Sequence, residues 1–189
     1  MTKEINDSAY WREFERNELT HSAAHYLMAI DSLREEFGYA RVTDVAEKLH
    51  VSRGAASMSI ANLRKRGWVK EDPNGMLLLA EEGNAVVNRV EHNFRILTKF
   101  FGDLLGISKD TAFTDACKME HLMSPETGQR ILGLMHFMEN DPARIEEFRA
   151  FISSGGQSCT DVKSCPICED VCLAEGGVAA RKEENAGNL

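Results

Sequence analysis

Val42-Thr43-Asp44-Val45-Ala46-Glu47-Lys48-Leu49-His50-Val51-Ser52-Arg53-Gly54-Ala55-Ala56-Ser57-Met58-Ser59-Ile60 is the stretch that decides the fold. Its first eight residues make a short helix, with Thr43 as the expected N-cap. His50-Val51 supplies a turn, and Ser52 can cap a second helix running from Arg53 to Arg66, closed by Gly67. Next, Trp68-Val69-Lys70-Glu71 and Met76-Leu77-Leu78-Leu79 flank Asp72-Pro73-Asn74-Gly75, a proline and Asn-Gly turn that predicts a β-hairpin. Upstream, Ala24, Leu27, Met28, Ile30 and Leu33 recur at helical spacing between Ser22 and Phe37, and Gly38 ends that run. Helix, short helix, turn, helix and hairpin, in that order, spell a winged helix-turn-helix.

The charge pattern agrees. The chain of 189 residues carries a formal net charge of −8, unhelpful for a nucleic-acid partner if spread evenly. It is not. Residues 41–70 hold Arg41, Lys48, Arg53, Arg64, Lys65, Arg66 and Lys70 against Asp44 and Glu47, a local net of +5. The N-terminal part of the second helix of such a motif enters the major groove. Ser52, Arg53, Ala55, Ser57 and Met58 are therefore the candidate base-reading residues, with serine suited to several base edges and small apolar groups to thymine methyls. Arg64, Lys65 and, from the wing, Lys70 are the candidate phosphate contacts. Ile60, Leu63 and Ala56 should face inward. The bland alternative is a winged helix used for protein contacts.

A hydrophobic content of 43% supports a real core. No apolar run approaches a membrane span, and Met1-Thr2-Lys3-Glu4-Ile5-Asn6-Asp7 lacks a secretory layout, so a soluble cytoplasmic protein is expected. A short amphipathic helix is expected over residues 9–17, around Ala9, Tyr10 and Phe14. Downstream, Val86, Val90, Phe94, Leu97, Phe101 and Leu104 predict a long helix over 82–105, followed by helices over 108–122, 125–139 and 141–152. The faces carrying Met135, Phe137, Met138, Phe148 and Phe151 suit packing and a dimer core. Ser153-Ser154-Gly155-Gly156 reads as a linker, and the charged last dozen residues suggest disorder. The expected fold is mainly α. It comprises a winged helix-turn-helix (1–80), an all-helical dimerisation domain (81–152), and a linker with a Cys-rich tail (153–189).

Ala116-Cys117-Lys118-Met119-Glu120-His121 carries chemistry of its own. Cys117, Glu120 and His121 stand at i, i+3 and i+4, so on a helix a thiol, a carboxylate and an imidazole share one face. These are good ligands for a first-row transition metal. A fourth donor has to come from elsewhere, among the six histidines and several carboxylates. His25 stands out because it lies on the helix before the helix-turn-helix, with Met28 three residues later on the same face. A lone histidine is more often a satisfied, partly buried residue, and the ligand-spaced triad is what favours coordination here.

Residues 20–152 resemble the diphtheria toxin repressor and manganese transport regulator family of metal-dependent transcriptional repressors. The resemblance rests on Glu36-Phe37-Gly38-Tyr39-Ala40-Arg41-Val42-Thr43-Asp44-Val45-Ala46-Glu47, on the wing, and on Ala116 to Ser124 with Leu105-Gly106 eleven residues earlier. It implies that Cys117, Glu120 and His121 are metal ligands. His25 takes the position of the family's methionine or aspartate ligand, and Met28 that of a glutamate in manganese-selective members. The family's second metal site is compromised. Its histidine and glutamate align with Phe94 and Thr98, a further histidine aligns with Phe113, and His92 lies two residues out of place. The resemblance further implies a homodimer on double-stranded DNA with a palindromic operator, activated by metal; catalysis is not expected, since the sequence shows no nucleophile–base pair or phosphate loop. Thiolate, imidazole and carboxylate form a softer set than manganese prefers, so Fe2+ leads, with Mn2+, Zn2+, Ni2+ or Co2+ as alternatives.

Cys159, Cys165, Cys168 and Cys172 crowd into fourteen residues, a tail the family typically lacks. Their C-x2-C-x3-C part is similar to iron–sulfur ligand runs, whereas structural zinc more usually takes two separated C-x2-C pairs. An iron–sulfur cluster, zinc and redox-active thiols all stay open. Two further functions follow from this tail: a cluster- or redox-responsive regulator, and, from another class, a small electron-carrier or metal-transfer protein.

Overall fold

The computed structural model describes residues 19–154. The expected helix over 9–17 and the four tail cysteines lie outside them. Within them the elements run α1 (His21–Phe37), α2 (Val42–Lys48), α3 (Arg53–Lys65), β1 (Val69–Glu71), β2 (Leu77–Leu79), α4 (Glu81–Lys99), a π-helical turn (Phe100–Leu104), α5 (Lys109–Met119), α6 (Pro125–Glu139) and α7 (Pro142–Ser153). Two compact units divide at Met135/His136, inside α6. In sequence terms the expected boundary lay at 80/81.

Local chemistry explains the winged helix. Thr20 caps α1 by accepting the Ala23 N–H at 3.1 Å, and Gly38 ends it in the left-handed region at φ 79. Ser52 caps α3 by accepting the Ala55 N–H at 3.2 Å. The cap of α2 is a correction: Arg41, not Thr43, holds the N-cap position, and its N–H donates to the Asp44 carboxylate at 3.1 Å. An acid three residues into the helix satisfies that donor, which leaves Thr43 inside the first turn, bonded to Asp44. β1 and β2 pair antiparallel with Val69 opposite Leu79, and the Asp72 carboxylate accepts the Asn74 and Met76 N–H groups to shape the turn.

One continuous core joins these pieces. Leu27 and Ile30 of α1, Val45 of α2, Ile60 of α3, Leu77 of the wing, and Val87 and Val90 of α4 are all fully buried in it. Ala56, Ile60 and Leu63 face inward as expected. Arg34 donates to the Leu77 carbonyl at 3.2 Å, and the Leu77 N–H donates to Ala40 O at 2.8 Å, which ties the wing to α1 and its following loop. The start of α4 is pressed on the wing so closely that a Cβ on Gly83 would collide with the Trp68 carbonyl oxygen.

The expected long helix 82–105 is regular only to Lys99. The Leu105 N–H donates to Phe100 O at 3.0 Å, a five-residue step that widens the last turn. α5 packs against α4 and the π-helical turn. It ends at Met119, earlier than expected, so Glu120 and His121 sit in the turn that follows rather than inside the helix. In the second unit, Arg144 lies 4.7 Å over the Phe137 ring, while Phe137 and Phe151 stay exposed. Met135, the last residue of the first unit, is buried.

Candidate metal centre and nucleic-acid interface

Two distant parts of the first unit meet at one cluster. His25 projects from α1, one turn after His21 at the helix start. Cys117 projects from the last turn of α5. Cys117 Sγ lies 3.4 Å from His25 Nε2. The ring centroids of His21 and His25 are 4.3 Å apart, and those of His21 and His121 are 5.1 Å apart. One donor atom each from His21, His25 and Cys117 falls within 4.8 Å of the others. Three of the candidate ligands expected from the sequence, His25, Cys117 and His121, therefore sit together with His21, a histidine the sequence reading did not single out. Its i, i+4 spacing to His25 is the signal that could have found it.

Glu120 is 1% exposed, and its Oε1 has no hydrogen-bond partner; His121 Nδ1 is also buried and unpartnered. Buried polar atoms are normally satisfied, so two orphaned donors beside a thiol and two imidazoles fit a divalent transition metal well. Met28, on the same helix as His25, is half-buried and packs against the hydrophobic core of the winged helix.

The electrostatics favour neutral forms in the metal-free cluster. Burial pushes the Glu120 carboxyl up to about 7. Burial, and then the Glu120 charge, raises the Cys117 thiol. The His25 and His121 imidazoles are held below their ordinary value, by burial first and then by neighbouring histidines.

Asn93 positions the segment that carries Glu120 and His121. It is buried on α4, and its Nδ2 donates to Glu120 O at 2.7 Å and to Met123 O at 3.1 Å. A polar residue on the apolar stripe between Val90 and Leu97 was the available signal. Where the family's second site would lie, Phe94 and Phe113 make an edge-to-face contact with centroids 4.9 Å apart. Thr98 Oγ1 is buried without a partner.

The second face is the basic one. On α3, Ser52, Arg53, Ser57 and Met58 are exposed and Ala55 is half-buried, with Met58 68% exposed. Ser52 also acts as the helix cap, so its hydroxyl is already an acceptor. Lys65 and Lys70 are exposed beside Arg64, which is paired with Glu71 of the wing. These residues line an open cleft of about 500 Å³ between α3 and β1.

Comparison with known proteins agrees with both faces. Residues 18–77 match the iron dependent repressor N-terminal DNA binding domain, and residues 80–149 match the iron dependent repressor metal binding and dimerisation domain. The chain is 30% identical over 130 residues to the HTH-type transcriptional regulator MntR of Geobacillus kaustophilus, which spans 69% of this chain and 92% of that protein. Among solved structures, the metal-dependent transcriptional regulator MtsR superposes with a TM-score of 0.56 at 28% identity, covering 61% of this chain and 54% of that one. The T. acidophilum IdeR structure gives a TM-score of 0.51 at 25% identity, covering 60% of this chain and 53% of that one. No helix among the described residues is long and apolar enough to cross a membrane. A winged helix-turn-helix followed by a helical metal-binding domain, matched by both family models and by a full-length relative, shows that this chain belongs to the diphtheria toxin repressor and manganese transport regulator family of metal-dependent transcriptional repressors.

Proposed function

We propose that one divalent transition metal, Fe2+ first, clasps α1 to the α5 end through His25, Cys117, Glu120 and His121, and that this clasp switches the repressor on. The single observation carrying this is the 3.4 Å approach of Cys117 Sγ to His25 Nε2. Bound there, the metal supplies positive charge to a group of donors that otherwise remain protonated or unpartnered. Nitrogen and sulfur donors bind it less well when protonated, and cross-linking two elements restrains their relative motion.

Because α1 also belongs to the core under α3, the clasp fixes the recognition helix in its DNA-competent placement. In a homodimer that sets the two recognition helices near one DNA turn apart, roughly 34 Å, matching a palindromic operator. Metal and DNA then strengthen each other's binding by linkage. Fluorescence anisotropy with promoter fragments from metal-uptake genes, with and without Fe2+ under anaerobic conditions, tests this. Tight binding only with metal is expected; equal binding in a chelator contradicts it. The four tail cysteines favour a second reading, in which an iron–sulfur cluster carries the signal. Replacing all four with alanine separates the two, since the clasp predicts retained Fe2+ activation.

A further inference from the structure

We infer that His21 is a direct ligand of the clasp metal, which adds a third histidine to the one cysteine and one carboxylate of the centre and makes it a site that rejects manganese. This rests on the proposed metal between α1 and α5, and goes beyond its four expected ligands.

The geometry is specific. His21 is the first residue of α1, and Thr20 fixes that helix start through its 3.1 Å cap. Four residues later, His25 lies on the same face. The His21 ring touches both neighbours: centroids lie 4.3 Å from His25 and 5.1 Å from His121. A donor atom of His21 falls within 4.8 Å of those of His25 and Cys117. Donors bound to one shared ion lie roughly 3–4 Å apart, given metal–nitrogen bonds near 2.0–2.1 Å and metal–sulfur near 2.3 Å. Cys117 and His25 already meet that spacing at 3.4 Å, and His21 stands within 4.8 Å of both. His21 is exposed and takes no part in the core, so packing does not explain where its ring lies.

The consequence is selectivity. Three imidazoles and a thiolate are a borderline-to-soft set, suited to Fe2+, Co2+ and Zn2+. Mn2+ is the weakest binder of the first-row series and favours oxygen ligands. Among the described residues Glu120 is the cluster's single carboxylate, too few oxygens to offset that disadvantage.

Cobalt is the probe, because its absorption reports both sulfur ligation and coordination geometry. The full chain is used with Cys159→Ser, Cys165→Ser, Cys168→Ser and Cys172→Ser, leaving Cys117 as its only thiol. Anaerobic Co2+ titration should give a near-ultraviolet thiolate charge-transfer band and strong visible ligand-field bands. In His21→Gln the charge-transfer band should persist, the ligand-field bands should change in position and intensity, and the Kd should rise tenfold or more. Cys117→Ala should lose the charge-transfer band. Unchanged far-ultraviolet circular dichroism in His21→Gln confirms its fold, as expected for an exposed side chain. If His21→Gln keeps the parent spectrum and affinity while Cys117→Ala loses its band, His21 is not a ligand and the four-residue clasp stands. If neither substitution alters the spectrum, the clasp itself fails. Excess Mn2+ should leave the cobalt bands in place; displacement at equimolar Mn2+ overturns the selectivity.

Discussion

Cys117 Sγ lies 3.4 Å from His25 Nε2, although the two residues are 92 positions apart. The contact joins the helix that underlies the DNA-binding unit to the helix that follows α4. If metal occupies this contact, it stabilises the folded state by mass action, about 2.7 kcal/mol at a hundredfold excess over Kd. Thermal unfolding should therefore show a Tm that rises with Fe2+ or Co2+ and reverts with chelator. In Cys117→Ala the metal-dependent rise should vanish while the metal-free Tm stays close to that of the parent.

Metal affinity should climb with pH. His25 and His121 are held low and stand ready as neutral ligands, whereas the Glu120 carboxyl, at about 7, and the raised Cys117 thiol still carry protons. Protons compete with metal, so affinity falls as pH falls. Below the Glu120 pKa two protons leave on binding, about a hundredfold per pH unit; above it one leaves, about tenfold. Chelator-competition titrations across pH 7 check this, and Glu120→Gln should remove the steeper limb. A flat profile would contradict the assignment of both groups.

Asn93→Ala should uncouple the site without touching a ligand. It strands the Glu120 and Met123 carbonyls, which now accept at 2.7 and 3.1 Å. Leaving buried carbonyls unsatisfied costs about 1–3 kcal/mol, and a loosened ligand segment lowers metal affinity roughly 10–100-fold. Urea unfolding and metal titration on the same sample would reveal both effects. A stability loss with unchanged metal affinity would mean that Asn93 is only a packing residue.

On the DNA face, Lys65→Ala and Lys70→Ala should each lower the slope of log affinity against log salt by about one. Arg64→Ala should lower it less, because Arg64 is already paired with Glu71. Met58→Ala removes a side chain 68% exposed, so stability should hold while sequence-specific binding weakens. Anisotropy titrations at several salt concentrations, on specific and random duplexes, distinguish these roles.

Much of this was legible because it is local. Ser52 as a cap, Gly38 as a terminator and the Asp72-Pro73-Asn74-Gly75 turn are short-range events, and each stands where its residue chemistry places it. The Arg41 cap escaped because an arginine is a poor cap by its side chain; the acid at Asp44 does the satisfying. The widened turn after Lys99 has no residue signature in an apolar run. At the site, Cys117, Glu120 and His121 could be found by spacing. His21 carries one local signal, its i, i+4 spacing to His25, which gains weight only where α1 and α5 meet, and Asn93 looks like one polar break in an apolar stripe. Tertiary proximity is what turned both into site residues.

Operator binding of the parent and of Cys117→Ala, titrated with Fe2+ under anaerobic conditions, tests the clasp most directly. The parent should tighten on DNA by roughly 5–150-fold when metal is added, the usual span of a coupling free energy. Cys117→Ala, folded and dimeric, should show the weak metal-free affinity at every Fe2+ concentration. A Cys117→Ala protein that tightens on DNA as fully as the parent would contradict the clasp.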